Sequence, residues 1–216
     1  MPLPVALKIG ALFFNFFISP NCTFGGSDLV CCELDYLRNS SVISKGPLKI
    51  NCNALLIKNL TEFPPLNENF EEVKAVEISG TELKEINSED LEMLKGLRYL
   101  NLSYNKITKL GENLFKNNEN LTILDLSCNG ITEIKPGVFD NLKNLKSLNL
   151  SQNNLSKINS GMLKDLQVLE DLSFSYNYIE RINSDAFRGL KALKVLNLNH
   201  NSITKIDSTS FNSLFN

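Results

Sequence analysis

Histidine is almost missing from this sequence: His200 stands alone among 216 residues. One imidazole cannot supply a His-based catalytic triad or a histidine-rich metal site. The motifs that carry catalysis are missing too. There is no G-x-S-x-G, no phosphate-binding P-loop and no H-E-x-x-H. Neither an enzyme nor a cofactor is expected, and no metal. Positive charge is not in excess either, with 22 Lys and Arg against 24 Asp and Glu. A formal net charge of −2 gives no polycationic surface, so no nucleic-acid partner is expected. No stretch reaches the 18 or so apolar residues of a spanning helix, so no membrane span is expected in this chain.

What the sequence has is a repeat. "LRYLNLSYNKITKL" begins at Leu97, and related stretches begin at Leu121, Leu145, Leu169 and Leu193, each 24 residues after the last. A weaker copy, "VKAVEISGTELKEI", begins at Val73. The unit reads L-x-x-L-x-L-x-x-N-x-I-x-x-I, then x4-F-x2-L. Its tail aromatic is Phe115, Phe139, Phe187 or Phe211, with Leu91 and Leu163 in the other two copies. Alternation around L-x-L predicts a short strand with Leu inward. One unit cannot bury its apolar side alone, and six stacked units make one core.

The asparagine column is Asn105, Asn129, Asn153, Asn177 and Asn201, with Thr81 in the first copy. The chain must turn there, and interior amides need partners. An asparagine side chain both donates and accepts, so a ladder from repeat to repeat is expected.

This pattern resembles the extracellular "typical" leucine-rich repeat of Toll-type receptor ectodomains and of invertebrate leucine-rich immune and adhesion proteins. The resemblance covers Val73 to Asn216. It implies an α/β repeat solenoid: a curved horseshoe with a parallel sheet on its concave face. The convex side would be mostly loops or 3₁₀ turns. It also implies a disulfide-stapled N-terminal cap, here residues 20–72, with Cys22, Cys31, Cys32 and Cys52. The family's alternating connectivity implies Cys22 with Cys32 and Cys31 with Cys52. The family has a C-x-C pair where this chain has adjacent Cys31 and Cys32.

Residues 1–19 read as a secretory leader, with Lys8 before an apolar run from Ile9 to Ile18 and cleavage placed as late as residue 27. A hydrophobic element of the mature fold is the other reading. The six repeats, 73–216, have no C-terminal cysteine cap. A fragment of a longer receptor, or a last strand edge covered by a partner, would account for that. Seven N-x-S/T sequons occur, at Asn21, Asn39, Asn59, Asn101, Asn120, Asn149 and Asn154. "LNLS" is itself a form of the repeat core, so Asn101 and Asn149 can be by-products. Asn39, Asn59 and Asn120 lie outside the strands and are the expected glycosylation sites.

Together these features predict a non-catalytic recognition module, secreted or on the extracellular face of the cell surface. It would bind a protein ligand or co-receptor through the concave face, in innate immune or cell-surface signalling. A structural matrix or adhesion protein is the alternative. The expected contacts are Tyr99, Tyr104, Asp125, Gln152, Tyr176 and His200, because tyrosine offers rigid contact area with a polar tip. Cys128 is left over from the cap set. It is either an incidental thiol or the point of a covalent dimer; the uncapped last repeat is a second dimer route.

Overall fold

The computed structural model describes residues 31–35, 54–58, 62 and 73–214. The leader, Cys22, Cys52, Asn39 and Asn59 lie outside the described residues, and the cap pairing with them.

Strands β1 to β6 are Cys31–Asp35, Ala54–Lys58, Ala75–Glu77, Tyr99–Asn101, Ile123–Asp125 and Ser147–Asn149. Strands β7 to β11 are Lys157–Ile158, Asp171–Ser173, Arg181–Ile182, Val195–Asn197 and Lys205–Ile206. Eight of them form one parallel sheet in the order β1-β2-β3-β4-β5-β6-β8-β10. Val76 lies opposite Leu100, and Leu100, Leu124, Leu148, Leu172 and Leu196 follow in register. The sequence period is thus the register of the sheet. A slip of one residue would turn each central leucine toward solvent, so burial pins the pairing. Two strands from the cap region, β1 and β2, continue the sheet past the first repeat, with β2 on β3. They cover its edge with backbone partners.

Helix is scarce among the described residues: a single turn, α1, at Ser88–Leu91, and a 3₁₀ turn at Asn212–Leu214. The rest of the convex side is turns. A second sheet of three two-residue strands, β11-β9-β7, runs along one flank.

The core is one continuous column of Leu, Ile and Phe from Val73 to Leu190. Phe115 stacks on Phe139 at 6.1 Å and Phe187 on Phe211 at 5.3 Å, with Leu163 between the two pairs. Asn118 departs from the pattern. It stands where other repeats have Leu94, Leu142, Leu166 and Leu190, and it is buried. Its Nδ2 donates to the carbonyls of Leu91 and Leu94, at 3.2 and 3.0 Å, so the donor is not left bare.

The asparagine column turns each repeat into the next. Nδ2 of Asn129, Asn153, Asn177 and Asn201 donates at 2.9 Å to a carbonyl of the preceding repeat: Leu102, Leu126, Leu150 and Phe174. Asn105 does the same to Ile78. Each Oδ1 accepts an amide of that same preceding repeat, as Asn153 does from Ile131 at 3.0 Å. Thr81, in the first repeat, donates its hydroxyl to Asn105 Oδ1.

Candidate binding face

Three columns of residues face away from the leucines, and they differ in what they are free to do. The column between the two core leucines is Glu77, Asn101, Asp125, Asn149, Ser173 and Asn197. Its side chains close the end of the strand. Oδ1 of Asn101, Asp125, Asn149 and Asn197 accepts the backbone amide two residues on, at 2.8–3.1 Å. This is an Asx turn, and it explains why the column is short and polar. The column is also cross-linked in pairs. Asn101 Nδ2 donates to Glu77 Oε1 at 2.8 Å, and Asn149 Nδ2 to Asp125 Oδ2 at 3.2 Å. Both oxygens of Asp125 are therefore engaged. Asn149 is only 7% exposed.

The next column is Ala75, Tyr99, Ile123, Ser147, Asp171 and Val195. Tyr99 donates its hydroxyl to Glu77 Oε2 at 3.1 Å and is half-buried. Burial, and then the Glu77 charge, hold the Tyr99 phenol well above its ordinary pKa. It is a fixed part of the face. Burial also raises Asp171, helped by the neighbouring Glu170 charge.

The column just before the asparagines is the unusual one. Tyr104, Cys128, Gln152, Tyr176 and His200 all have φ between 53° and 55°, and Gly80 has 66°. The left-handed backbone turns the chain out of the strand while its amide still reaches the next repeat. Tyr104 N donates to Ser127 O at 3.0 Å and Tyr176 N to Asn199 O at 2.9 Å. Side chains avoid this conformation, at a cost of about 1–2 kcal/mol. The result is a row along the rim. Tyr104 is 63% exposed and Tyr176 53%. Tyr104 hydrogen-bonds Cys128, whose Sγ–H donates to Gln152 Oε1 at 3.0 Å. Tyr176 and His200 stack with centroids 4.1 Å apart and planes at 13°.

Of the six expected contacts, Tyr104, Gln152, Tyr176 and His200 thus form one exposed row, with Cys128 inside it. Tyr99 and Asp125 sit deeper, tied to neighbours. Cys128 is a free, half-buried cysteine whose thiol pKa is raised by burial. Tyr178, beyond the asparagine ladder, is 63% exposed and was not among the expected contacts. The left-handed row was not foreseen either, although Gly80 in the same column is its signal, since glycine aligned in a column marks positive φ. The flank column Lys109, Glu133, Lys157, Arg181 and Lys205 is interleaved with acids. Lys157 pairs with Glu133 at 3.9 Å and Arg181 with Asp207 at 3.0 Å, so two of the column's four basic side chains are already matched by acids. Among the described residues no group of His, Cys, Asp or Glu could hold a metal ion, and no helix is long and apolar enough to cross a membrane.

The leucine rich repeat family pattern matches residues 71–127, 119–179 and 167–215. The chain is a leucine-rich repeat protein. Among solved structures this leucine-rich repeat chain is similar to one in the complex of Toll with Spatzle, from Drosophila. The identity is 28% and the TM-score 0.66, over 72% of this chain and 21% of that one. It also resembles a chain of the TLR13–ssRNA13 complex, at 22% identity and a TM-score of 0.56 over 75% of this chain and 27% of that one. The second likeness is one of fold alone. The leucine-rich repeats here span about a fifth to a quarter of those chains. No curated protein matches the chain.

Proposed function

We propose that this leucine-rich repeat chain is a non-catalytic extracellular recognition module. It binds a protein ligand or co-receptor along the rim of its concave face, in immune or cell-surface signalling. One observation carries the reading. Gly80 shows that glycine serves this backbone, yet five successive rungs keep Tyr, Cys, Gln, Tyr and His in a conformation that disfavours them. Strain retained in an exposed, aligned row points to use. Two exposed tyrosines and a stacked His-Tyr pair are side chains that protein interfaces favour. The Toll neighbour, solved in complex with Spatzle, supports a protein ligand and an extracellular setting. The TLR13 neighbour is a complex with RNA, so the fold itself does not exclude nucleic acid; the net charge of −2 is what favours protein.

The test is a screen of the folded chain against a displayed library of secreted proteins, repeated with the Tyr104→Ala/Tyr176→Ala double variant. A ligand should bind the wild type and lose about tenfold or more in affinity to the variant. Ligands held equally by both would overturn the rim assignment. A single-stranded RNA probe at low salt is the parallel arm, and tight, salt-sensitive binding there would reassign the partner class.

A further inference from the structure

Four of the sequons fall among described residues, and the structure sorts them sharply. Asn101 and Asn149 are committed. Asn101 Nδ2 donates to Glu77 and its Oδ1 accepts from Ser103, while Asn149 Nδ2 donates to Asp125 and its Oδ1 accepts from Ser151 N and Oγ. Their hydroxyl partners, Ser103 and Ser151, are buried. Asn120 is exposed, but its Nδ2 donates to Lys95 O at 3.1 Å, and Thr122 Oγ1 donates to Arg98 O at 2.8 Å. Asn154 is different. Both Asn154 and Ser156 are exposed, and their side chains are free of hydrogen-bond partners.

The surroundings of Asn154 suit a bulky group. One repeat earlier the same position is Gly130, which offers no side chain. One repeat later it is Tyr178, an exposed ring whose backbone amide donates at 2.9 Å to Leu155 O, next to Asn154. Neighbouring rungs lie about 4.8 Å apart. An open rung on one side and a flat aromatic on the other can seat the apolar face of a sugar.

We propose that Asn154 is the principal N-glycosylation site of the repeat region and that its glycan covers Tyr178. Covering Tyr178 leaves the Tyr104-to-His200 row as the open approach to the rim. The proposal rests on the extracellular reading above, because the reaction belongs to the secretory route. The co-reactant is a lipid-pyrophosphate-linked oligosaccharide. Asn154 Nδ2 attacks its anomeric carbon, the N–C bond forms, the C–O bond to pyrophosphate breaks, Nδ2 loses one proton, and the lipid pyrophosphate leaves.

The full chain is expressed in glycosylating eukaryotic cells, once behind its own first residues and once behind a heterologous leader. The secreted protein is deglycosylated in heavy-oxygen water with an amidase that leaves labelled aspartate. Asn149 and Asn154 lie in the same tryptic peptide, 147–157, so the position of the label decides between them. The expected result is label at Asn154 in most molecules and none at Asn149. Ser156→Ala should abolish the label at Asn154, and should raise iodination of Tyr178 severalfold with Tyr104 unchanged. Asn154→Gln, which removes the same glycan, should match it. Secreted protein with Asn154 unlabelled overturns the site, and unchanged Tyr178 iodination overturns the cover. If only the heterologous leader yields labelled Asn154, the site stands and the extracellular reading fails.

Discussion

Glu77 stands at the start of the polar column and shows how one residue ties the face together. It accepts from Asn101 and from Tyr99, and burial raises its carboxyl pKa above the ordinary 4.5, although those hydrogen bonds pull the other way. The folded state therefore holds the Glu77 proton more tightly than the unfolded state does. Stability contributed at low pH is lost as pH rises from 4.5 through the raised folded value. Glu77→Gln keeps an acceptor for Asn101 and removes the buried charge. It should raise the melting temperature at about pH 7 and have little effect at about pH 4, below both values. A melting temperature lowered at neutral pH would show that the charge is worth more to its donors than its burial costs. At the same scale Cys128 is a poor covalent handle at neutral pH. Burial lifts its thiol, and its proton points at Gln152.

At the scale of elements, much was legible in the sequence and some was not, for definite reasons. The leucine register was legible because a buried face and a fixed period leave one way to stack. Strands β7, β9 and β11 were not, because two residues cannot show alternation. The cap strands β1 and β2 were not, because their pairing lies outside the 24-residue register. Of the column from Glu77 to Asn197 only Asp125 is an expected contact, and the column's polarity has a structural cause in the Asx turns and cross-strand pairs, which a one-dimensional pattern does not display. Close approach between turns is likewise invisible in sequence. Gly189 has φ +98°, and a Cβ there would lie 2.1 Å from Lys164 O. Gly161, at φ +76°, has nothing within 4 Å of such a Cβ. Gly161→Ala should cost about 1–2 kcal/mol, the backbone strain alone. Gly189→Ala should cost clearly more, because two convex turns must separate. Equal losses in denaturant melts would mean that the turns shift freely past one another.

For the whole molecule, stacking makes stability a chain of neighbours. Each central leucine touches only the rungs on either side, and the asparagine ladder likewise joins adjacent rungs. The ion pairs between repeats, such as Lys135–Glu112, Lys164–Asp140 and Lys194–Glu170, lie at the surface, where solvent screening leaves them little weight. The leucines therefore dominate. Leu148 is fully buried between Leu124 and Leu172. Leu148→Ala should cost about 2–5 kcal/mol through lost burial and the cavity it leaves. In a quasi-one-dimensional stack that loss is felt first at the lesion. Amide exchange should therefore speed up in β5, β6 and β8, while the amides of β3, two rungs beyond β5, keep most of their protection. Equal acceleration at β3 would mean that the repeats open only as one unit. The rim row would then be rigid from Tyr104 to His200, and a ligand contacting one end would be coupled to the other. Graded acceleration would instead let each half of the row adapt to its own contact.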